Sequence, residues 1–243
     1  MEIIKLGSMY LDDQVQDLPF ACQESTNISF GNTICGKEIE WVEAKGIMVA
    51  TQCVCVGVSW EQLDQLGFVF GRTVQIDGKS YLCRCLKVGA EEGKSNEWDD
   101  VLGKCGSGND LWNWEHIYFW GQETPLWRDD GLNQRVVRGF SSPYRRNSVS
   151  ASHQLTYVGF RPVLEPLFSG DPQVLVGSNI KVLGPRGEAI TGDLAECDDY
   201  DFVLDPILEI PANCGWVSWI GGQVIVQREN VIGIKEAKYD GEN

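Results

Sequence analysis

Ten aromatic rings crowd the fifty residues from Leu111 to Phe160 and follow no regular period. They are Trp112, Trp114, Tyr118, Phe119, Trp120, Trp127, Phe140, Tyr144, Tyr157 and Phe160, set among Gly, Asn, Asp and Arg. A stretch without helical or strand periodicity reads as loop. A loop of this size stays ordered only if its rings bury large areas and their N–H or O–H tips find partners. For most of these rings a core role is therefore expected, and the rest can serve the binding surfaces that ordered loops carry.

The segment before this stretch mixes short strands with two short helices. Ile3–Leu11, turning at Asp12-Asp13, starts a hairpin, and Ile39–Glu43 and Gly46–Val58 are strand candidates. Ser59 caps an amphipathic helix over Trp60–Leu66, with Glu61 and Gln62 in its first turn. Thr73–Ile76 and Ser80–Leu86 flank Asp77-Gly78, a pair suited to the positive φ of a tight hairpin. Ser95 or Asn96 caps a second helix, Glu97–Lys104, which places Trp98, Val101 and Leu102 at helical spacing.

After the aromatic stretch the pattern becomes strand-like throughout. Asn179–Leu183, Ala189–Glu196, Tyr200–Leu204, Gly215–Ile220, Gln223–Gln227 and Val231–Glu236 are short strands with no long helix between them, the mark of a small barrel. The expected fold class is α+β. A loop-rich domain covers 1–165, a linker 166–177, a small β-barrel 178–238 and a frayed tail 239–243.

Charge narrows the function classes. The chain has 243 residues, with Lys+Arg 20 against Asp+Glu 35 and a net charge of −15. From residue 165 onward 14 acidic residues face 5 basic ones, so the small domain holds most of the excess. Such a chain repels phosphate backbones, which argues against a nucleic-acid partner. The longest apolar runs, Gly46–Ala50 and Cys53–Val58, fall far short of the ~20 residues of a spanning helix. Met1–Phe20 lacks the apolar core of an export signal, so a cytoplasmic location is expected.

Nine cysteines, an odd number, argue against a disulfide framework. Cys53/Cys55 and Cys83/Cys85 form two Cys-x-Cys pairs in strand candidates, so each pair is expected to share one face. Neighbouring strands would let four thiolates converge on zinc, but the usual chelating spacing is Cys-x-x-Cys. Reduced, buried cysteines and no cofactor are the expectation.

Three ordered segments of the first domain resemble the formylglycine-generating-enzyme type of C-type-lectin fold. Cys83-Arg84-Cys85-Leu86 followed by Asn96-Glu97-Trp98-Asp99 is similar to the family's Arg-Leu-Pro and Glu-x-Glu-Trp-Glu. Gln134-Arg135-Val136-Val137-Arg138-Gly139-Phe140 is similar to its Arg-Val-x-Arg-Gly-Gly-Ser-Trp, and Gly159-Phe160-Arg161 to its closing Gly-Phe-Arg. The resemblance spans about 80–165 and implies a compact domain whose terminal strands pair, here Ile3–Leu11 with Tyr157–Leu164. The same fold serves phage receptor-binding and diversity-generating-retroelement proteins, whose variable ligand-binding stretch lies just before the closing motif. Here that stretch is Ser141–Tyr157, with Tyr144, Arg145, Arg146, Asn147, His153, Gln154 and Tyr157. The oxidase members bind copper through a cysteine pair near the closing motif, yet no cysteine lies between Ser141 and Gly159. With only His116 and His153 in the chain, the three-histidine iron site of the sulfoxide-synthase relatives cannot form either.

The second domain resembles the Sm fold of the bacterial Sm-like RNA chaperone. The likeness rests on Asn179–Leu183, the run Asp198-Asp199-Tyr200-Asp201-Phe202-Val203-Leu204, and Arg228-Glu229-Asn230-Val231-Ile232-Gly233-Ile234. Glu229 stands at the position of the family's base-contacting histidine, which with the local acidity argues against RNA. Homo-oligomer formation or docking through the barrel is what the resemblance implies.

Other chemistries are weaker. Neither histidine lies near a nucleophile elbow, and Gly184-Pro185-Arg186-Gly187 lacks the ending of a phosphate loop. Asp198, Asp199 and Asp201 read as a solvated loop before they read as a cation site. Arg135, Arg138, Arg145, Arg146 and Arg161 fall within 27 residues; the first two and the last belong to structural motifs, so Arg145 and Arg146 are the ligand-facing candidates. The leading expectation is a non-catalytic recognition protein that binds a protein partner or a small anionic ligand; a phage- or mobile-element-derived origin would fit it. Its candidate site is Tyr144, Arg145, Arg146, Asn147, His153 and Tyr157, with Trp112, Trp114 and Trp127. The alternatives are an acidic inhibitor imitating nucleic acid, and a divergent enzyme on the oxidase scaffold.

Overall fold

A computed structural model describes residues 2–23, 27–128, 131–212 and 214–237. The chain divides into two units, Met1–Glu165 and Pro166–Asn243. Strands hold 43% of the described structure and helix 11%, in three short α-helices and two 3-10 turns, which overturns the expected α+β class: the protein is β-rich. The helices span six, nine and four residues, too few to form a layer, so the cores are built by sheets and loops. None of the described helices is long and apolar enough to cross a membrane.

Two six-stranded sheets build the first unit. One runs in the order Ile3–Lys5, Glu40–Ala44, Ile47–Ala50, Pro162–Pro166, Lys79–Cys85, Arg72–Ile76. The closing strand thus pairs with Ile47–Ala50, through Val163 opposite Val49, and two strands separate it from Ile3–Lys5. The direct pairing of the terminal strands is therefore corrected to membership of one sheet. The other sheet runs Arg146–Ser150, Gln134–Gly139, Tyr118–Trp120, Val158–Phe160, Cys55–Val56, Phe20–Ala21. A three-stranded sheet carries the Asp12-Asp13 hairpin, with φ of 46° and 64° at its turn.

The local signals act where the sequence places them. α1 (Trp60–Gln65) starts in a capping box: Ser59 Oγ accepts from the Gln62 amide at 3.1 Å while Gln62 Oε1 accepts from the Ser59 amide at 2.9 Å. α2 (Glu97–Cys105) is capped by Asn96, whose Oδ1 accepts from the Asp99 amide at 3.0 Å. The single strand expected over Ile47–Val58 breaks in two, and its halves, Ile47–Ala50 and Cys55–Val56, lie in different sheets. Cys53 and Cys55 accordingly join different hydrophobic clusters instead of sharing a face.

In the second unit one antiparallel sheet runs Val217–Ile220, Gln223–Gln227, Asp201–Glu209, Ala189–Cys197, Asn179–Leu183, Gly233–Glu236. Alternate residues turn inward, and Ile180, Val182, Ile190, Leu194, Phe202, Leu204, Val224 and Val226 form its core. Register shifts between Thr191 and Glu196, beginning at Gly192, bend the second strand. The stretch read as a linker also contributes: Leu175 is buried in this core and Phe168 packs against it. The tail expected to fray, 239–243, lies outside the described residues.

Candidate ligand pocket

The pocket begins with a turn held from below. Trp98 on α2 is fully buried, and its indole N–H donates to the Pro143 carbonyl at 2.8 Å. Its ring meets Trp112 and Phe119 edge-on, with centroids 5.2 and 5.0 Å away. Behind them lies Arg161, wholly buried, whose guanidinium donates to the carbonyls of Ala50 (2.8 Å) and Trp112 (2.5 Å). Burial pushes Arg161 down to about 10, with the neighbouring Cys53 opposing the shift. The Pro143 turn closes with the Arg145 amide donating to the Ser142 carbonyl at 3.0 Å, leaving the Tyr144 and Arg145 side chains exposed.

Strand alternation then sorts the residues that follow. Gln134–Gly139 pairs with Arg146–Ser150 in antiparallel register, with Arg138 opposite Arg146. Arg138 and Arg146 each contact one oxygen of Asp99, the latter at 3.1 Å. Arg138 also donates to the Val88 carbonyl at 2.9 Å, and Arg146 to the Glu91 carbonyl. Asn96 Nδ2 completes the Asp99 shell at 2.5 Å. One carboxylate thus serves two guanidinium groups, and among the described residues the buried Nε–H of both arginines has no hydrogen-bond partner. Desolvation pulls Arg138 below its usual range despite the pull of Asp99 the other way.

These groups wall a cavity of about 460 Å³, lined by Asp99, Arg138, Arg146 and the exposed Tyr144 and Arg145. Trp127, Glu92 and Gly93 complete it from the loops on either side of α2 and the central strands. Trp127 and Tyr144 keep 43% and 55% of their surface accessible. Among the described residues the Arg145 guanidinium makes no hydrogen bond or ion pair.

Of the sequence-predicted residues, the structure gathers Tyr144, Arg145, Arg146 and Trp127 in this cavity. Asn147 projects from the opposite face of its strand, toward the Tyr118 hydroxyl 3.5 Å away. Tyr157 is exposed on that side, its ring 6.0 Å from Phe140, and His153 lies exposed on the turn after the strand. Trp112 is a correction: it is fully buried, with its N–H bonded to the Gly106 carbonyl at 2.8 Å, so it supports the site and cannot line it. Trp114 is half-buried, its N–H spent on the Ser107 carbonyl at 3.0 Å. Sequence reasoning missed Asp99, Glu92 and the pocket role of Arg138, although the acidic first turn of α2 carried a signal for Asp99.

The other candidates settle elsewhere. Cys53, Cys55, Cys83 and Cys85 are buried, and burial pushes Cys53 up to about 11 and raises Cys83 and Cys85 as well; Cys55 is raised first by a Cys22 hydrogen bond and then by burial. Asp198 uses one oxygen to accept the amides of Tyr200 and Asp201, both at 2.7 Å, which lowers its carboxyl. Among the described residues no three His, Cys, Asp or Glu side chains are grouped so as to hold a metal ion. Comparison with protein families, curated proteins and solved structures finds no match to this chain.

Proposed function

We propose that this chain is a non-catalytic recognition protein whose ligand site is the arginine-walled pocket of the first unit. The observation that carries the reading is the convergence of the adjacent Tyr144, Arg145 and Arg146 with Trp127 and the sequence-distant Asp99 on one cavity. Among the described residues the Arg145 guanidinium is unpaired, and Arg138 and Arg146 share a single carboxylate, so the pocket offers donors to an anionic group. Under this proposal the first unit takes the C-type-lectin-like role and the second an Sm-like role in docking or assembly. A reducing, cytoplasmic setting suits Cys35, Cys53, Cys55, Cys83, Cys85, Cys105, Cys197 and Cys214, all free thiols.

The test is differential retention from native host extract, read by native mass spectrometry. A protein or small molecule retained by the wild type and lost from the Tyr144→Ala/Arg145→Ala variant is expected. Equal retention by both, with loss on neutralising Asp198, Asp199 and Asp201, replaces this reading with that of an acidic inhibitor.

A further inference from the structure

We infer that the pocket takes a planar aromatic monocarboxylate, an inference that rests on the recognition reading above and specifies its ligand. Charge sets the first limit. Among the described lining residues Arg138, Arg145 and Arg146 are cationic and Glu92 and Asp99 anionic, a surplus of one positive charge. A singly charged anion neutralises that surplus. A phosphate monoester, at about −1.5 to −2 near neutral pH, exceeds it and sets its oxygens against two carboxylates.

Donor geometry agrees with the charge. The Arg145 guanidinium has all its N–H groups uncommitted among the described residues, and its planar fork matches two carboxylate oxygens at once. Arg138 and Arg146 are anchored by Asp99 and by backbone carbonyls, so they supply a fixed positive wall while Arg145 engages the ligand. Trp127 and Tyr144 offer exposed ring surface in the same lining, where a ligand ring packs offset or edge-on. The cavity, about 460 Å³, lies within the range of small-molecule sites.

The experiment is calorimetric titration of the full chain with indole-3-acetate, acetate, adenosine monophosphate and inorganic phosphate. The variants are Arg145→Ala, Arg145→Lys and Tyr144→Ala, with Lys79→Ala as a distant control; circular dichroism confirms that each is folded. Indole-3-acetate is expected to bind the wild type and Lys79→Ala equally, and about tenfold or more weakly in Arg145→Ala and Tyr144→Ala. Arg145→Lys keeps the charge but loses the fork, so it restores only part of the affinity. Acetate, which lacks a ring, is expected to bind at least tenfold more weakly than indole-3-acetate. Tighter binding of adenosine monophosphate or phosphate, still dependent on Arg145, overturns the carboxylate assignment and leaves the recognition reading in place. Carboxylate binding indifferent to Arg145 and Tyr144, or no binding of any of the four probes, also overturns the inference. Failure of the recognition reading itself shows separately, as equal retention in the extract experiment.

Discussion

Trp98 joins the core to the pocket through a single hydrogen bond to the Pro143 carbonyl. Trp98→Phe keeps an aromatic ring but leaves that buried carbonyl without its donor, at a cost of about 1–3 kcal/mol. The expected outcome is a lower unfolding midpoint with faster hydrogen exchange at the Arg145 amide; an unchanged exchange rate would show that the turn holds itself. Cys53 gives a second residue-scale prediction, on pH. Burial moves its thiol from 9.0 to about 11, with the nearby Arg161 opposing the shift. The unfolded chain releases this proton near pH 9 and the folded chain keeps it to about 11, so the folded state binds more protons in between. Stability is full below pH 9 and falls as pH rises toward 11, by roughly 2–3 kcal/mol for this group. Urea midpoints at pH 8 and pH 10.5 check the fall, and Cys53→Ala is expected to reduce it by this group's share, while the buried Cys55, Cys83 and Cys85 keep theirs.

The elements that frame the pocket are held by their ends and crossings. Asn96 both caps α2 and steadies Asp99, so Asn96→Ala removes an N-cap worth about 1 kcal/mol and frees the carboxylate shared by the two arginines. Thermal denaturation is expected to show the first effect and weakened ligand retention the second. Gly159 sits where Val158–Phe160 crosses Cys55–Val56, and a Cβ there would lie 2.3 Å from the Cys55 carbonyl oxygen. Gly159→Ala must part these strands, with an expected loss of about 1–3 kcal/mol or more, measurable as a drop in the denaturant midpoint. Hairpins and caps at this scale were readable in the chain, because Asp-Gly turns and Ser59 or Asn96 act on their immediate neighbours. The break in Ile47–Val58 was not: both halves are apolar, and only distant partners draw them into different sheets.

For the whole molecule, the two units carry separate cores, one centred on Ile180, Leu194, Leu204 and Val224 and the others on residues before 165. Leu204→Ala opens a cavity in the former, at about 2–5 kcal/mol. Hydrogen exchange followed by mass spectrometry is expected to show lost protection across 180–236 and unchanged protection in α2. Loss in both would mean that the units unfold as one.

Five of the six strands of the second unit were legible because their inward and outward residues alternate, and a period of two is a local property; Val217–Ile220 lacks that alternation. The same alternation, once Arg146–Ser150 is known to be a strand, places Arg146 and Asn147 on opposite faces. The sequence also carried the balance between rings and regular structure in the aromatic stretch, since unpatterned loops need buried indoles to stay ordered. It could not show which rings go inside: Trp112 and Trp127 look alike in the chain, and packing buries one and exposes the other. Nor could it join Arg138 and Arg146 to Asp99, 39 and 47 residues away, because an ion pair depends on distance in space and leaves no periodic trace along the chain. Local chemistry therefore set the turns, caps and strand faces, whereas the pocket exists only because long-range sheet pairing and the α2 cap bring a helix, two strands, two loops and the Pro143 turn to one place.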